Sequence, residues 1–182
     1  MSVCGGSWVR GQGRVWRFAG RVAEGITISD DGMAVTRGKA GWFGYRGALA
    51  EGVVDTGGRA YAEWAIEEAG NACCFILLGV TALEAAAGTD ISDSPESRMY
   101  CCTTSRAYPD FRNWGTSGRR RKGDRVGLLV DGGRLWVYVN GARLGPGPMA
   151  SDLPARVRFA VEMRCVGACV RLVAGAAAPA EG

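Results

Sequence analysis

At 182 residues, with 47% apolar and 22% charged side chains and a net charge of +4, the chain has the size and composition of one soluble globular domain. It contains no histidine, which removes Ser–His and Cys–His nucleophile pairs, His general bases and His metal ligands together. Its 29 glycines are scattered between short apolar runs without a period, which excludes collagen and favours many turns.

The N-terminal stretch "SWVRGQGRVWRF" carries Arg10, Arg14 and Arg17 ahead of the first acidic residue, Glu24, as a transit peptide would. Trp8, Trp16 and Phe18 argue instead for anchored structure, so residues 1–19 are expected to pack on the domain and the protein to be cytoplasmic. "GITISDDGMAVTRG" (25–38) places Ile26 and Ile28 on one strand, turns at Asp31-Gly32, and places Met33 and Val35 on a second. "GGRAYAEWAIEEAG" (57–70) is helical by Ala and Glu propensity, but a period of two puts Ala62, Trp64 and Ile66 on one face, and a strand is expected.

"CCFILLGVTAL" (73–83) reads as a strand covered on both faces, with one helical turn over 82–87 and a turn-rich loop after it. "RMYCCTTS" (98–105) is a further strand, and "RAYPDFRNWGTSGRRRKG" (106–123) reads as a long loop. "GDRVGLLVDGGRLWVYVNG" (123–141) alternates on both sides of Gly132-Gly133, the pattern of a tight hairpin. Leu135, Val137 and Val139 share one face; Trp136 and Tyr138 share the other, against loops or the N-terminal segment. Residues 155–173 give a strand, a glycine turn and a last strand, and the tail 174–182 is expected to be disordered. Many short strands with almost no helix define an all-β sandwich or barrel.

Seven cysteines occur as two adjacent pairs, a C-x₃-C and a lone Cys4. An odd count with adjacent pairs does not suit a secreted disulfide framework. Neighbouring strand residues point to opposite faces, so Cys73 and Cys74 do not ligate one metal from a regular strand. The cysteines are expected to be reduced, metal-free and largely core-filling, in a chain without cofactor. The longest apolar run, Ala72 to Val80, is too short to span a membrane.

The order of these segments resembles the SPRY domain family. "ITISDDGMAVTRG" is similar to its first strand pair, "GWFGYRG" to the Trp/Gly segment that follows, "GGRAYAEWAI" to its Gly-Lys/Arg-x-Tyr-Trp-Glu strand and "FILLGV" to the apolar strand after it. Gly123, Asp124, Gly127, Asp131, Tyr138, Asn140 and Gly141 match its most recognisable hairpin, and Val170-Arg171-Leu172 its final strand. The resemblance covers about residues 20–173 and implies a bent two-sheet antiparallel β-sandwich of the concanavalin-like jelly-roll kind. It also implies a non-catalytic module whose loops at one edge bind a peptide or surface of a partner protein. Three departures stand out: Ala62 replaces a bulky Trp while Trp64 enlarges the same face, Val137 replaces a Phe, and the loop 106–122 is longer and more basic.

Asp124, Asp131 and Asn140 read as turn and capping residues, not acids or metal ligands. Glu63, Glu67 and Glu68 read as surface carboxylates paired with Arg or water. In "GWFGYRG", Trp42 or Phe43 is expected to plug the sandwich, leaving Tyr45 and Arg46 on the rim of a partner-binding surface, since Tyr and Arg are enriched at hot spots. Tyr108, Phe111, Arg112 and Trp114 lie in a loop from which they cannot all reach a core, and with Trp136 they complete the expected surface. Arg119, Arg120, Arg121 and Lys122 form a solvated turn or, as a second reading, contact RNA or single-stranded nucleic-acid phosphates. A third reading is a lectin-like sandwich binding sugar on an aromatic platform.

Overall fold

The computed structural model describes residues 14–18, 22–39, 44–70, 75–83, 90–115 and 118–180. Cys4, Trp8, Trp42, Phe43, Cys73, Cys74 and most of the turn expected over 82–87 lie outside them. One antiparallel sheet runs, edge to edge, β1 (Ile26–Ile28), β2 (Ala34–Arg37), β14 (Cys169–Leu172), β5 (Arg59–Glu68), β10 (Arg125–Asp131), β11 (Arg134–Val139) and β12 (Ala142–Leu144). The second runs β3 (Arg46–Leu49), β13 (Arg156–Met163), β6 (Ile76–Ala82), β7 (Arg98–Cys101), β8 (Arg106–Tyr108) and β9 (Arg112–Asn113), with β4 (Val54–Asp55) also paired to β13. The all-β sandwich is as expected, and among the described residues the only helix is a 3-10 turn, Ile91–Asp93.

Alternation decides which side chains meet between the sheets. Trp64 and Ile66 of β5, Val126, Leu128 and Val130 of β10, and Leu135 and Val137 of β11 face Leu78, Val80, Tyr100, Phe159 and Val161 of the other sheet. Burial of this face overrides the Ala/Glu helix propensity of β5, as a period of two predicts. β10 and β11 are joined by Gly132 and Gly133 at φ 55 and 75, the type I′ geometry that glycine supplies without steric cost. Asn140 and Asp124 act in the turns as expected: Asn140 Oδ1 accepts from the Arg125 N–H at 2.8 Å, and its Nδ2 donates to Asp124 Oδ1 at 3.0 Å.

The N-terminal segment enters the core. Trp16 and Phe18 are both buried in it, and the Trp16 indole N–H donates to the Tyr61 carbonyl at 2.6 Å. Phe159 is met edge-on by Trp16 at 4.9 Å and by Trp64 at 5.7 Å. The small Ala62 is therefore balanced by two tryptophans, one on its own strand and one from residue 16.

β6 is buried along its whole length, and Gly79 is what lets β7 approach. A Cβ at Gly79 would lie 2.1 Å from the Arg98 carbonyl oxygen and 2.4 Å from Met99 Sδ. Gly79→Ala is accordingly expected to destabilise the fold by about 1–3 kcal/mol, the range for overpacking. A lowered urea midpoint with unchanged slope would verify this; an unchanged midpoint would contradict it.

Each sheet's outer face is also covered. On the second sheet, Leu49, Leu77, Met99, Cys101, Tyr108 and Ala160 form a cluster beneath Ile91 of the 3-10 turn. Gly47 makes room for that turn, since a Cβ there would lie 2.6 Å from Ile91 Cδ1. Glu162, buried beside it, accepts from the Ile91 N–H at 2.5 Å and the Ser92 N–H at 3.1 Å. On the first sheet, Tyr61, Leu129 and Tyr138 cluster with Trp136, Ala176 and Ala178. Tyr138 and Trp136 thus cluster with Ala176 and Ala178, whereas Trp16 and Phe18 lie in the main core. Of the tail 174–182, residues 174–180 are described, with Ala176 and Ala178 packed against this cluster.

Candidate functional site

The stretch 106–114, read as loop, folds back as a hairpin. Arg106 pairs with Asn113 and Ala107 with Arg112, and the Trp114 N–H donates to the Ser105 carbonyl at 2.8 Å. Two of its four expected anchors are buried in this fold. Trp114 is 7% exposed and belongs to the main core, while Tyr108, also 7% exposed, lies on the outer cluster of the second sheet. Pairing of β8 with β7 brings Tyr108 beside Met99, which an unpaired loop would not do.

Phe111 and Arg112 remain outside. Phe111 is 55% exposed, with its ring tilted on Tyr108 at 4.5 Å. Its φ of 53 is a left-handed conformation that costs a non-glycine residue about 1–2 kcal/mol. Arg112 holds the hairpin down: its guanidinium lies 5.1 Å from the Trp114 ring centre, and Nη2 donates to the Met149 carbonyl.

Tyr45 joins the same surface just before β3, whereas Arg46, the next residue, points to the other face of the sheet beside Arg37. The Tyr45 hydroxyl lies near that of Tyr108, and its ring meets Phe75 edge-on at 6.3 Å. Burial pushes both tyrosine hydroxyls above their ordinary pKa, against nearby Arg164 at Tyr45 and Arg106 at Tyr108. Both therefore stay protonated and serve as hydrogen-bonding groups, not as bases. Arg164 lies 5.9 Å from the Phe75 ring centre, and Arg46 Nη1 donates to the Tyr45 carbonyl at 2.9 Å.

The result is an aromatic line, Phe75–Tyr45–Tyr108–Phe111, with Arg164 beside Phe75 and Arg106 near Tyr108. Arg46 and Arg112 share the register of the inner-facing Met163 and Ala107 and point to the other side of the sheet. Phase and register explain why Phe75, Arg106 and Arg164 were missed in the sequence. Arg164 follows β13 and Phe75 precedes β6, and an Arg164 N–H to Phe75 carbonyl bond of 3.1 Å joins them. The only signal was Phe75 at the lip of an apolar run.

The remaining candidates lie elsewhere. Trp136 is on the outer face of the first sheet, stacked under Arg143 at 5.3 Å, and is separate from this line. The basic run is partly used internally: Arg120 donates to Tyr100 Oη at 3.3 Å and Ser105 Oγ at 3.4 Å, and Lys122 pairs with Glu68. The Arg121 N–H donates to Asp124 Oδ2 at 2.7 Å. In this turn the side chains of Arg120 and Lys122 are engaged internally, while Arg119 and Arg121 are exposed.

No protein-family model matches the sequence, and no curated protein matches it. Solved structures do match the two-sheet antiparallel sandwich. A human SPRY domain superposes with a TM-score of 0.70 at 20% identity, covering 85% of this chain and 98% of that one. The SPRY domain of human HERC1 gives 0.69 at 16% identity, over 86% of this chain and 97% of its own. The TRIM65 PSpry domain gives 0.64 at 16% identity, over 89% and 90%. The chain has the SPRY fold.

Proposed function

We propose that this protein is a non-catalytic interaction module that captures an extended peptide or loop of a partner protein on the Phe75–Tyr45–Tyr108–Phe111 line. The observation that carries this reading is Phe111, held exposed in a strained backbone conformation on a buried tyrosine. Strain of this kind persists where the surrounding structure over-determines it, and it concentrates at ligand clamps. An aromatic anchor on rigid support loses little conformational entropy on binding. Arg106 and Arg164 beside the line favour a partner segment with carboxylates next to an apolar residue.

Capture from the native cell, with wild-type chain beside Phe111→Ala and Arg164→Glu, tests it. The expected result is a set of proteins held by wild type and lost by both variants. Identical retention by all three would overturn the proposal. Single-stranded RNA supplies the contrasting arm, since each phosphate contact would add about 0.9 to the slope of log K against log salt. Tight RNA binding with such a slope, unaffected by Phe111→Ala, would favour the nucleic-acid reading instead.

A further inference from the structure

The outer face of the first sheet carries a second aromatic surface, on the opposite side of the sandwich from the first. Leu129 of β10 sits between Tyr61 of β5 and Trp136 of β11 in register. Gly127, between Glu63 and Tyr138, leaves the space that the Tyr61 ring fills: a Cβ there would lie 2.0 Å from Tyr61 Oη. Tyr61 and Tyr138 meet edge-on at 6.1 Å. Trp136 lies under the Arg143 guanidinium at the margin.

A segment of the chain itself is seated on this face. Val173 donates to the Glu63 carbonyl at 2.8 Å, and the chain then crosses the rings, with Ala176 and Ala178 packed against them. Among the described residues, no main-chain hydrogen bond joins 174–180 to the sheet; the Ala176 N–H donates only back to Val173, at 3.4 Å. The occupant is "AAAPA", residues 176–180. Its contacts with the rings, among the described residues, include the methyls of Ala176 and Ala178.

Flat aromatic faces with shallow gaps suit extended segments of small residues and proline, which lose little entropy on docking and bring no side chain to clash. A tether this short raises the local concentration of the resident segment, so weak contacts suffice to keep it in place. We infer that this face is a docking surface for an extended Ala- and Pro-containing segment of a partner protein, and that residues 174–180 occupy it in cis until such a segment displaces them. The partner gains main-chain freedom to lie along the rings where the tethered segment is fixed at Val173.

The test uses the full chain, wild type and Ala176→Asp/Ala178→Asp, titrated in a calorimeter with a synthetic peptide of residues 173–182. The double variant is expected to bind the peptide at least tenfold more tightly than wild type, since its own segment no longer competes. Trp136→Ala added to the double variant, or a peptide with its alanines replaced by glycine, should each weaken binding at least tenfold. Phe111→Ala should leave it unchanged, which separates this face from the one proposed above. Failure of the folded double variant to bind, or equal binding by both chains, would overturn the inference. Should the double variant unfold, Ala178→Asp alone carries the same test. A concentration-dependent dimer of the wild-type chain, abolished by the double substitution, would make a second copy the occupant and overturn the assignment to a partner protein.

Discussion

Trp114→Ala is expected to cost the fold about 3–5 kcal/mol, as for other large-to-small core changes, whereas Phe111→Ala should leave stability within about 0.5 kcal/mol. The two aromatics are three residues apart on one hairpin. Trp114 closes the core against β12 and the turn after it, so tightly that a Cβ at Gly145 would lie 2.6 Å from its Cε2. Phe111 touches Tyr108 and otherwise faces solvent. Its loss should instead weaken partner binding by about 2–4 kcal/mol, the size of a hot-spot truncation. Phe111→Gly should go further and stabilise the fold by up to about 1 kcal/mol, because glycine accepts a positive φ freely, while losing the partner as alanine does. Urea midpoints, with titration against a captured partner, separate these effects. A stable Trp114→Ala chain, or a Phe111→Ala chain that binds normally, would show that the roles have been assigned the wrong way round.

The second large effect is a pH dependence centred on Glu162. Burial raises its carboxyl from an ordinary 4.5 to about 7, against the Ile91 and Ser92 N–H groups that favour the charged form, with Asp90 adding to the rise. A folded-state value above the unfolded one means that the folded protein holds the proton more tightly. The stabilisation is then complete below about pH 4.5 and is lost as pH rises through about 7. A rise of this size corresponds to roughly 3 kcal/mol. Glu162→Gln cannot titrate, so the stability difference between wild type and variant should shift toward the variant as pH rises from 5 to 8. Comparing the pair cancels Asp31, Asp124 and Asp152, whose pKa values lie below the ordinary carboxylate range and whose contributions fade in acid. Unfolding curves at pH 5, 6, 7 and 8 measure this; wild-type and variant stabilities running parallel with pH would rule out Glu162 as the cause.

The strands were legible wherever a buried face imposes a period of two. β5, β10 and β11 follow their alternation, and the Gly132-Gly133 turn follows from its glycines. Illegible features depend on partners distant in the chain. β8 and β9 are too short to show alternation, and Pro109 and Gly115 around them carry the signature of a loop. Trp114 is a core residue only because Leu144 and Gly145 come to meet it. Small-residue composition suggests disorder at 174–180, since the rings that hold Ala176 and Ala178 lie on other strands. The aromatic line was partly legible: Tyr45, Tyr108 and Phe111 stand out in the sequence, while Phe75 and Arg164 join it through pairing of β6 with β13.

The strand order has a consequence for how the protein is made. β13 lies between β3 and β6, and β14 lies between β2 and β5, so the last two strands in the chain are interior members of their sheets. Until residues 156–172 have emerged from the ribosome, β1 with β2, and β3 on its own, lack the neighbours that join them to the rest. The nascent chain must then carry unpaired strand edges through most of its synthesis, the condition under which edge-to-edge association between chains competes with folding. Premature termination anywhere before Arg156 would leave both sheets split, not merely shortened.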